Sequence, residues 1–339
     1  MMILGNRSYL LILFLISCNS LENSSKNNTY HFPTISGSTM GTTYTVKYAT
    51  DIKSNNDIKE NRDKIEEILR DINMQMSTYI IDSEISKFNT IKNTEWMTIS
   101  EDFAFVVKSS FDYYEISNGL YDITVMPLVN LWGFGPDKFS DVPTATDIDS
   151  ILVFVSQDLI EIEKNKIRKK DARVQIDLSS IAKGYAVDKI IESLNYDNIF
   201  VEIGGEVRGK SNGKIWRVGI NTPSIDNISN EIEYIASIKN ASIATSGNYR
   251  NFYIDKDNRF YHHEINPLTG YPIMSQLASI SVFAETSCME ADGLATALYM
   301  METNDINNFF EETDFEGLMI LVDPDMSFKQ IVSENFPKN

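Results

Sequence analysis

Residues 42–48, TTYTVKY, alternate polar and apolar positions with the period of a half-buried β-strand. Farther on, Ile65, Ile68, Leu69, Ile72 and Met76 recur at three- and four-residue spacing, which predicts a helix with one apolar face. A second helix is signalled by Ser100 as its cap, by Phe103, Val106, Val107, Phe111 and Tyr114 as its inner face, and by Asn118-Gly119 as its stop. In mid-chain, RVQIDLSSIAKGYAVDKIIESL predicts a strand to Leu178, a turn of small residues, and a helix with Val187, Ile190, Ile191 and Leu194 inward. From residue 198 β patterns dominate: NIFVEIGGEVRGK, IWRVGIN, YIASIKNASIATS and FYIDKDNRFYHHEI, the last with a hairpin turn at Asp257-Asn258. The strand-like LASISVF then precedes a helix at about 287–301 and a final GLMILVD. Helices interspersed with hairpins predict an α+β class rather than a doubly wound parallel sheet.

A chain of 339 residues, 42% hydrophobic, can bury one large core or two modest ones. No repeat or second linker interrupts it, and residues 31–339 read as a single catalytic domain. With 48 acidic against 30 basic residues the net charge is −18, which disfavours nucleic acid and anionic membrane surfaces as direct partners. An anionic ligand would need a local cation here, and that points to a metal rather than a basic patch. At the N-terminus, Arg7 precedes an apolar run from Leu10 to Ile16, too short to span a bilayer but suited to a signal peptide over residues 1–17. Its end, LISC, resembles the bacterial lipoprotein signal, in which Cys18 becomes the lipidated first residue; a plain cleaved signal peptide is the alternative. The polar NSLENSSKNNTY that follows reads as a tether, so residues 18–30 form anchor and spacer. Only Cys288 then remains in the mature chain, which excludes an intramolecular disulfide.

Four stretches carry candidate chemistry. In SCMEADGLATALYMM, Asp292 and Thr296 are four residues apart on one helical face, with Leu294, Ala297, Leu298 and Met301 opposite. A carboxylate and a hydroxyl together suit a hard cation such as Mg2+, although an acid near a helix start also serves the helix dipole. IDLSSIAKGYAVD sets Asp177 at a strand end and Lys183-Gly184 at a helix start, either a phosphate-friendly turn or an ordinary strand-to-helix connection. The Gly pair of VEIGGEVRGK reads as a tight turn or bulge. HHEIN lacks zinc-protease spacing, and adjacent His residues on a strand point to opposite faces, so at most one faces a site. His31, beside the tether, is expected in solvent.

Taken in order, SGSTMGTTYTV, MSTYIIDSEISKFN, GLYDITVMPLVNLWGFG, IDLSSIAKGYAVDK, VEIGGEVRGKS, WRVGIN, ATSGNYRNFY, HHEINPLTGYP and EADGLATALYMM resemble the ApbE family of flavin transferases from about residue 36 to 301. The resemblance implies an ApbE-like (T-fold-like) arrangement of antiparallel sheets with packed helices. It implies FAD as substrate and Mg2+ as cofactor: the hydroxyl of a Thr or Ser in an exported or membrane-anchored flavoprotein attacks the flavin-side phosphorus, AMP leaves, and FMN stays as a phosphoester. The acceptor would resemble DGxSGAT. By motif, Asp292 and Thr296 look like metal ligands, and Ser180 like the position adding a backbone carbonyl. Met40, Tyr79, Leu120, Tyr121, Asp122, Asp177, Lys183 and Ile265 match positions expected to contact FAD. Tyr79 would stack on an aromatic ring, Asp122 and Asp177 would accept from ring or ribose donors, and Lys183 would offset phosphate charge. His263 is the candidate base. Glu264 stands where an apolar residue is commoner in the family, and either faces solvent or changes the electrostatics around His263. Family members are often exported lipoproteins, which implies a lipid anchor at Cys18 on the bacterial cell membrane, facing the periplasm or cell exterior. An FAD pyrophosphatase giving FMN and AMP, and a lipid-anchored flavin binder without turnover, are the alternatives.

Overall fold

The computed structural model describes residues 31–50, 55–136, 142–222, 232–248, 252–255, 257, 259–323, 325 and 327–339. The expected signal peptide, Cys18, the tether and Asn258 of the expected hairpin turn lie outside them. The fold is built on one eight-stranded sheet: β1 (Thr34–Thr39), β2 (Thr42–Tyr48), β3 (Ile199–Ile203), β4 (Glu206–Lys210), β5 (Ala241–Gly247), β6 (Leu277–Ala284), β7 (Glu316–Val322) and β8 (Phe328–Val332). Each strand pairs antiparallel with the one before it, so spatial order follows chain order and helices and hairpins are inserted between neighbours.

The sheet is covered on both faces, and the two-residue period of its strands divides the side chains between two cores. Tyr44, Val46 and Tyr48 of β2 and Ile199, Val201 and Ile203 of β3 face the larger core. There they meet the helices α1 (Asn55–Met76), α2 (Glu101–Ile116), α3 (Ala182–Leu194) and α4 (Cys288–Tyr299). Val207, Ile243, Leu318 and Ile320 point to the other face, onto the hairpin of Trp216–Asn221 and Ile232–Ile238. The apolar residues expected on α1 are buried, except Ile68, which is half-buried. Ser100 caps α2 by accepting from the Phe103 N–H at 3.3 Å, and the chain turns out of the helix at Asn118 and Gly119, both at positive φ.

Three expectations need correction. Residues 174–178 join no strand ladder. Their backbone groups are satisfied elsewhere: the Asn89 side chain donates to the Ile176 carbonyl at 2.9 Å and accepts from its N–H at 2.8 Å, while the Asp177 N–H donates to the Ile123 carbonyl at 2.8 Å. α4 is not amphipathic in the ordinary sense: residues on every side of it are buried, Asp292 included. His31 is half-buried, its backbone paired with Thr50.

α3 and α4 touch closely because Gly184 has no side chain. A Cβ there would lie 2.4 Å from the Cys288 carbonyl oxygen. The contact is locked by Asp188 of α3, which accepts from the N–H groups of Cys288 at 2.9 Å and Met289 at 3.0 Å and from the Ser287 hydroxyl at 2.7 Å. The α4 N-terminus is thus capped by a carboxylate from its neighbour, which pairs also with Arg208 of β4 at 2.6 Å.

At one end of the sheet the Met40-Gly41 turn, the Gly204-Gly205 turn and the last residues of β5 lie together, since the Gly204 N–H donates to the Thr43 carbonyl at 3.1 Å and β5 runs antiparallel to β4. All four turn residues have positive φ, as tight primed hairpin turns require.

Lys169 is a buried cation outside this region. Its ammonium donates to the Val174 carbonyl at 2.8 Å and sits 4.9 Å from the Phe88 ring centre. Burial first, and Lys92 second, push it down to about 8, against a smaller opposing pull from Asp171. The unfolded chain, whose Lys titrates near ~10.4, therefore holds more protons than the folded one between these values, and folding gains stability as pH rises through that window. The unfolding temperature of the wild type, measured against that of Lys169→Met, should accordingly rise from about pH 8 to about pH 10. A difference that stays flat across this range would refute the assignment.

Candidate functional site

The turns at that end of the sheet, the N-terminal part of α3, the face of α4 that carries Asp292, Thr296 and Met300, and the segment 263–265 enclose a cleft of about 380 Å³, within the range of small-molecule sites. Asp292 is one of its buried acids, 3% exposed. It is held by the Gly184 N–H, which donates to Oδ2 at 2.9 Å, so the close approach of α3 to α4 also fixes this carboxylate. Burial pushes its carboxyl up, while Lys183 and the Gly184 N–H pull it back. The Lys183 ammonium lies 3.6 Å from Asp292 and 3.5 Å from Glu206, a second buried carboxylate, which the first residue of β4 delivers. Two carboxylates against one ammonium leave one net negative charge.

One turn along α4, the Thr296 hydroxyl is 3.0 Å from that of Ser246, at the end of β5. Across the cleft the Ser180 hydroxyl donates to the Tyr121 hydroxyl at 2.9 Å. Among the described residues no three His, Cys, Asp or Glu side chains form a metal-binding cluster. The donors gathered around Asp292 are oxygens of mixed type instead, hydroxyl and carboxylate with a net negative charge, and such a set fits a hard divalent cation.

Every residue expected at the site lines this one cleft: Met40, Tyr79, Leu120, Tyr121, Asp122, Asp177, Ser180, Lys183, His263, Ile265, Asp292 and Thr296. Tyr79 stands at the mouth, 71% exposed, its hydroxyl 3.4 Å from the Phe134 carbonyl. Asp122 has a more structural place than expected. Its Oδ1 accepts from the Thr124 N–H at 2.7 Å and hydroxyl at 2.6 Å, and its Oδ2 from the Gln157 N–H at 2.9 Å, so the carboxylate holds the following turn. Burial pushes it up to about 6 against these hydrogen bonds. Asp177 likewise accepts from the Ser179 N–H at 2.6 Å through Oδ1 and shapes the turn into α3.

The two neighbouring histidines part, His262 ending a short strand, Phe260–His262, and His263 following it. His262 is buried, with Nε2 2.6 Å from the Ile273 carbonyl and Nδ1 accepting from the Glu264 N–H at 3.3 Å. That pattern makes it a neutral Nε2–H tautomer, and burial lowers its titration further. His263 faces the cleft, its ring 6.4 Å from that of Phe134. Glu264 does not turn to solvent: its side chain is 12% exposed and its carboxylate lies 3.4 Å from Nε2 of His263.

Glu206 and Ser246 were not expected at the site. The signal for the first was a carboxylate set directly after a Gly-Gly turn; for the second, a hydroxyl in ATSGNY, at the end of a buried strand.

The match to known proteins covers both sequence and fold. The model of the ApbE family matches residues 40–319. This chain belongs to the ApbE family. Relatives named FAD:protein FMN transferase include one from Haemophilus influenzae, 39% identical over 318 residues, 90% of each chain. Another, from Vibrio cholerae, is 40% identical over 309 residues, 89% of this chain and 91% of the relative. Among solved structures, the flavin transferase ApbE from Vibrio cholerae superposes with a TM-score of 0.80 at 38% identity, covering 91% of this chain and 98% of that one. The Pseudomonas stutzeri flavinyl transferase ApbE in its apo form gives 0.79 at 30% identity, over 90% and 95%. The ApbE-family architecture expected from the sequence, a single α+β unit with antiparallel sheets, is the one observed.

In this ApbE-family chain the helix contact at Gly184 sets the site. Gly184→Ala should destabilise the fold by about 1–3 kcal/mol, although Ala favours a helix by about 1 kcal/mol over Gly. Urea unfolding checks this; a variant as stable as the wild type would show that the two helices separate without cost.

Proposed function

We propose that this protein transfers FMN from FAD to a Thr or Ser hydroxyl of a target flavoprotein, forming a phosphoester and releasing AMP. The observation that carries the reading is the placement of oxygen donors and Lys183 on one wall of the cleft with His263 on another. Asp292, Thr296 and the Ser180 position would hold a Mg2+, which when bound neutralises charge on the phosphates. The chain's own residues do the rest by binding and alignment. Lys183, already near two carboxylates, adds positive charge where the pyrophosphate would lie. His263 offers an imidazole nitrogen to the proton of the acceptor hydroxyl. Tyr79 presents a ring at the mouth on which a flat heterocycle can stack. Met40 is held in the left-handed region at φ 49, a conformation that costs about 1–2 kcal/mol for a residue other than glycine, and its side chain lines the cleft.

The chain is further proposed to act at the outer face of a bacterial cell membrane through a lipid on Cys18. The support is the LISC sequence after an apolar run and the polar spacer that follows. No helix among the described residues is long and apolar enough to cross a membrane.

Intact-mass measurement on a carrier protein with an exposed Thr segment, incubated with FAD, Mg2+ and the domain lacking residues 1–18, tests the transfer. A gain of one FMN, lost on adding a chelator and reduced at least ~100-fold by Asp292→Ala, is expected. Free FMN and AMP without carrier gain would mean a pyrophosphatase, and intact FAD a binding protein. Met40→Gly should weaken FAD binding several-fold in a fluorescence titration while changing stability by less than about 1 kcal/mol, because relief of strain offsets lost packing. Unchanged FAD affinity would remove Met40 from the binding surface.

A further inference from the structure

Several hydroxyls on the helices of this protein turn back onto their own helix. Ser109 and Ser110 of α2 donate to the carbonyls of Phe105 at 3.1 Å and Val107 at 2.7 Å. Thr90 and Thr313 likewise donate to those of Ser86 at 2.9 Å and Phe309 at 2.8 Å. Thr296 behaves differently. Its hydroxyl reaches out of α4 to that of Ser246 at 3.0 Å, and between Ala291 and Met300 it is the one residue that is not buried. Both side chains belong to the wall of the cleft.

Rigid elements set this meeting from both sides. Ser246 lies opposite Ile280 in the ladder of β5 with β6, and the hydroxyl of its neighbour Thr245 is 2.7 Å from that of Ser281. On the other side α4 is fixed by Asp188, which accepts from the N–H groups of Cys288 and Met289. By distance alone either oxygen of the Ser246–Thr296 pair can be the donor.

We propose that Ser246 is a positioning residue for the cation: it accepts the Thr296 proton, so that the Thr296 oxygen keeps its lone pairs toward the cleft. The inference rests on the reading of Thr296, with Asp292, as a ligand of a hard divalent cation. An oxygen that gives a lone pair to a cation must turn its proton elsewhere, and a Thr on a helix has two places to put it. The first is a carbonyl one turn back, as at Thr90, which draws the oxygen onto its own helix. The second is an acceptor on a neighbouring element, and Ser246 is that acceptor. The strand hydroxyl thus holds the helix hydroxyl outward, in line with the general role of groups that orient a metal's ligands from behind.

The test is a titration of the purified protein with Mn2+, in which the free ion is counted by its paramagnetic resonance signal; it needs neither FAD nor an acceptor. Ser246→Ala should weaken Mn2+ binding about tenfold, and Ser246→Thr, which keeps the hydroxyl, should recover most of the loss. In a Thr296→Val background the same Ser246→Ala change should cost less than about twofold, since no proton is left to accept. In the transfer assay Ser246→Ala should raise the Mg2+ concentration at half-maximal rate about tenfold, so that added Mg2+ restores part of the lost rate. An unchanged Mn2+ affinity in Ser246→Ala overturns the proposal. So does an equal loss in both backgrounds, which would make Ser246 a ligand in its own right. A wild type that binds no Mn2+ overturns the reading of Thr296 as a ligand, and the proposal with it. The expected Mn2+ differences without any FMN transfer would support the proposal and overturn the transferase reading alone.

Discussion

The contact between α3 and α4 at Gly184 is the constraint from which the site follows. Two helices can bring a backbone N–H of one against a side chain of the other only if their axes approach closely, and here the missing Cβ permits it. The N–H so exposed is the one that holds Asp292. Asp188, one turn farther along α3, does the same for the α4 N-terminus through two N–H groups and a hydroxyl, and ties it to β4 through Arg208. A carboxylate buried to 3% exposure would be costly if mobile; held by a helix N–H and faced by an ammonium, it becomes a fixed charge. The register of α4 on α3 thereby also sets where Thr296 meets Ser246.

The sheet supplies the other half of the geometry. Because spatial order follows chain order, the turns β1–β2 and β3–β4 and the end of β5 all fall at one end, and each delivers a residue to the cleft without a long loop: Met40, Glu206 and Ser246. Tight turns anchored by ladder hydrogen bonds hold side chains more rigidly than loops do. The residues left to longer segments, Tyr79 and His263, are those at the mouth or on the facing wall, where an incoming partner would have to be accommodated.

Much of this was legible in the chain. The periodic spacing of α1 and α2, the Gly-Gly turn and the opposed histidines follow from local rules, and the ordered set of short stretches brought all the expected residues to one cleft. What was not legible depends on long-range packing. Residues 174–178 look like a strand because they alternate, but Asn89, distant in sequence, takes the hydrogen bonds a ladder would have used. Asp122 lines the cleft as expected, and its oxygens also accept from Thr124 and Gln157, partners that lie outside the motif's own reading. Glu206 follows a Gly-Gly turn, and only its packing in the fold shows it buried against Lys183. In each case the side chain's chemistry was plain and its partner was not.

The charge of the chain closes the account. At −18 the surface repels an anionic ligand at long range, but repulsion between exposed charges is screened beyond about 8–10 Å in physiological salt. Within the cleft the carboxyl groups of Asp122, Asp177, Glu206, Glu264 and Asp292 outnumber the Lys183 ammonium, and the hydroxyls of Ser180, Ser246 and Thr296 line it as well. A basic patch there would bind phosphates without help and hold the product as tightly as the substrate. On the proposed reading, an acidic, oxygen-lined wall would draw a divalent cation, and that cation and Lys183 would supply the positive charge that faces the anion. On that reading the acidic composition and a phosphate-handling site are compatible, because the carboxylates that repel an anion would be the groups that hold the cation facing it.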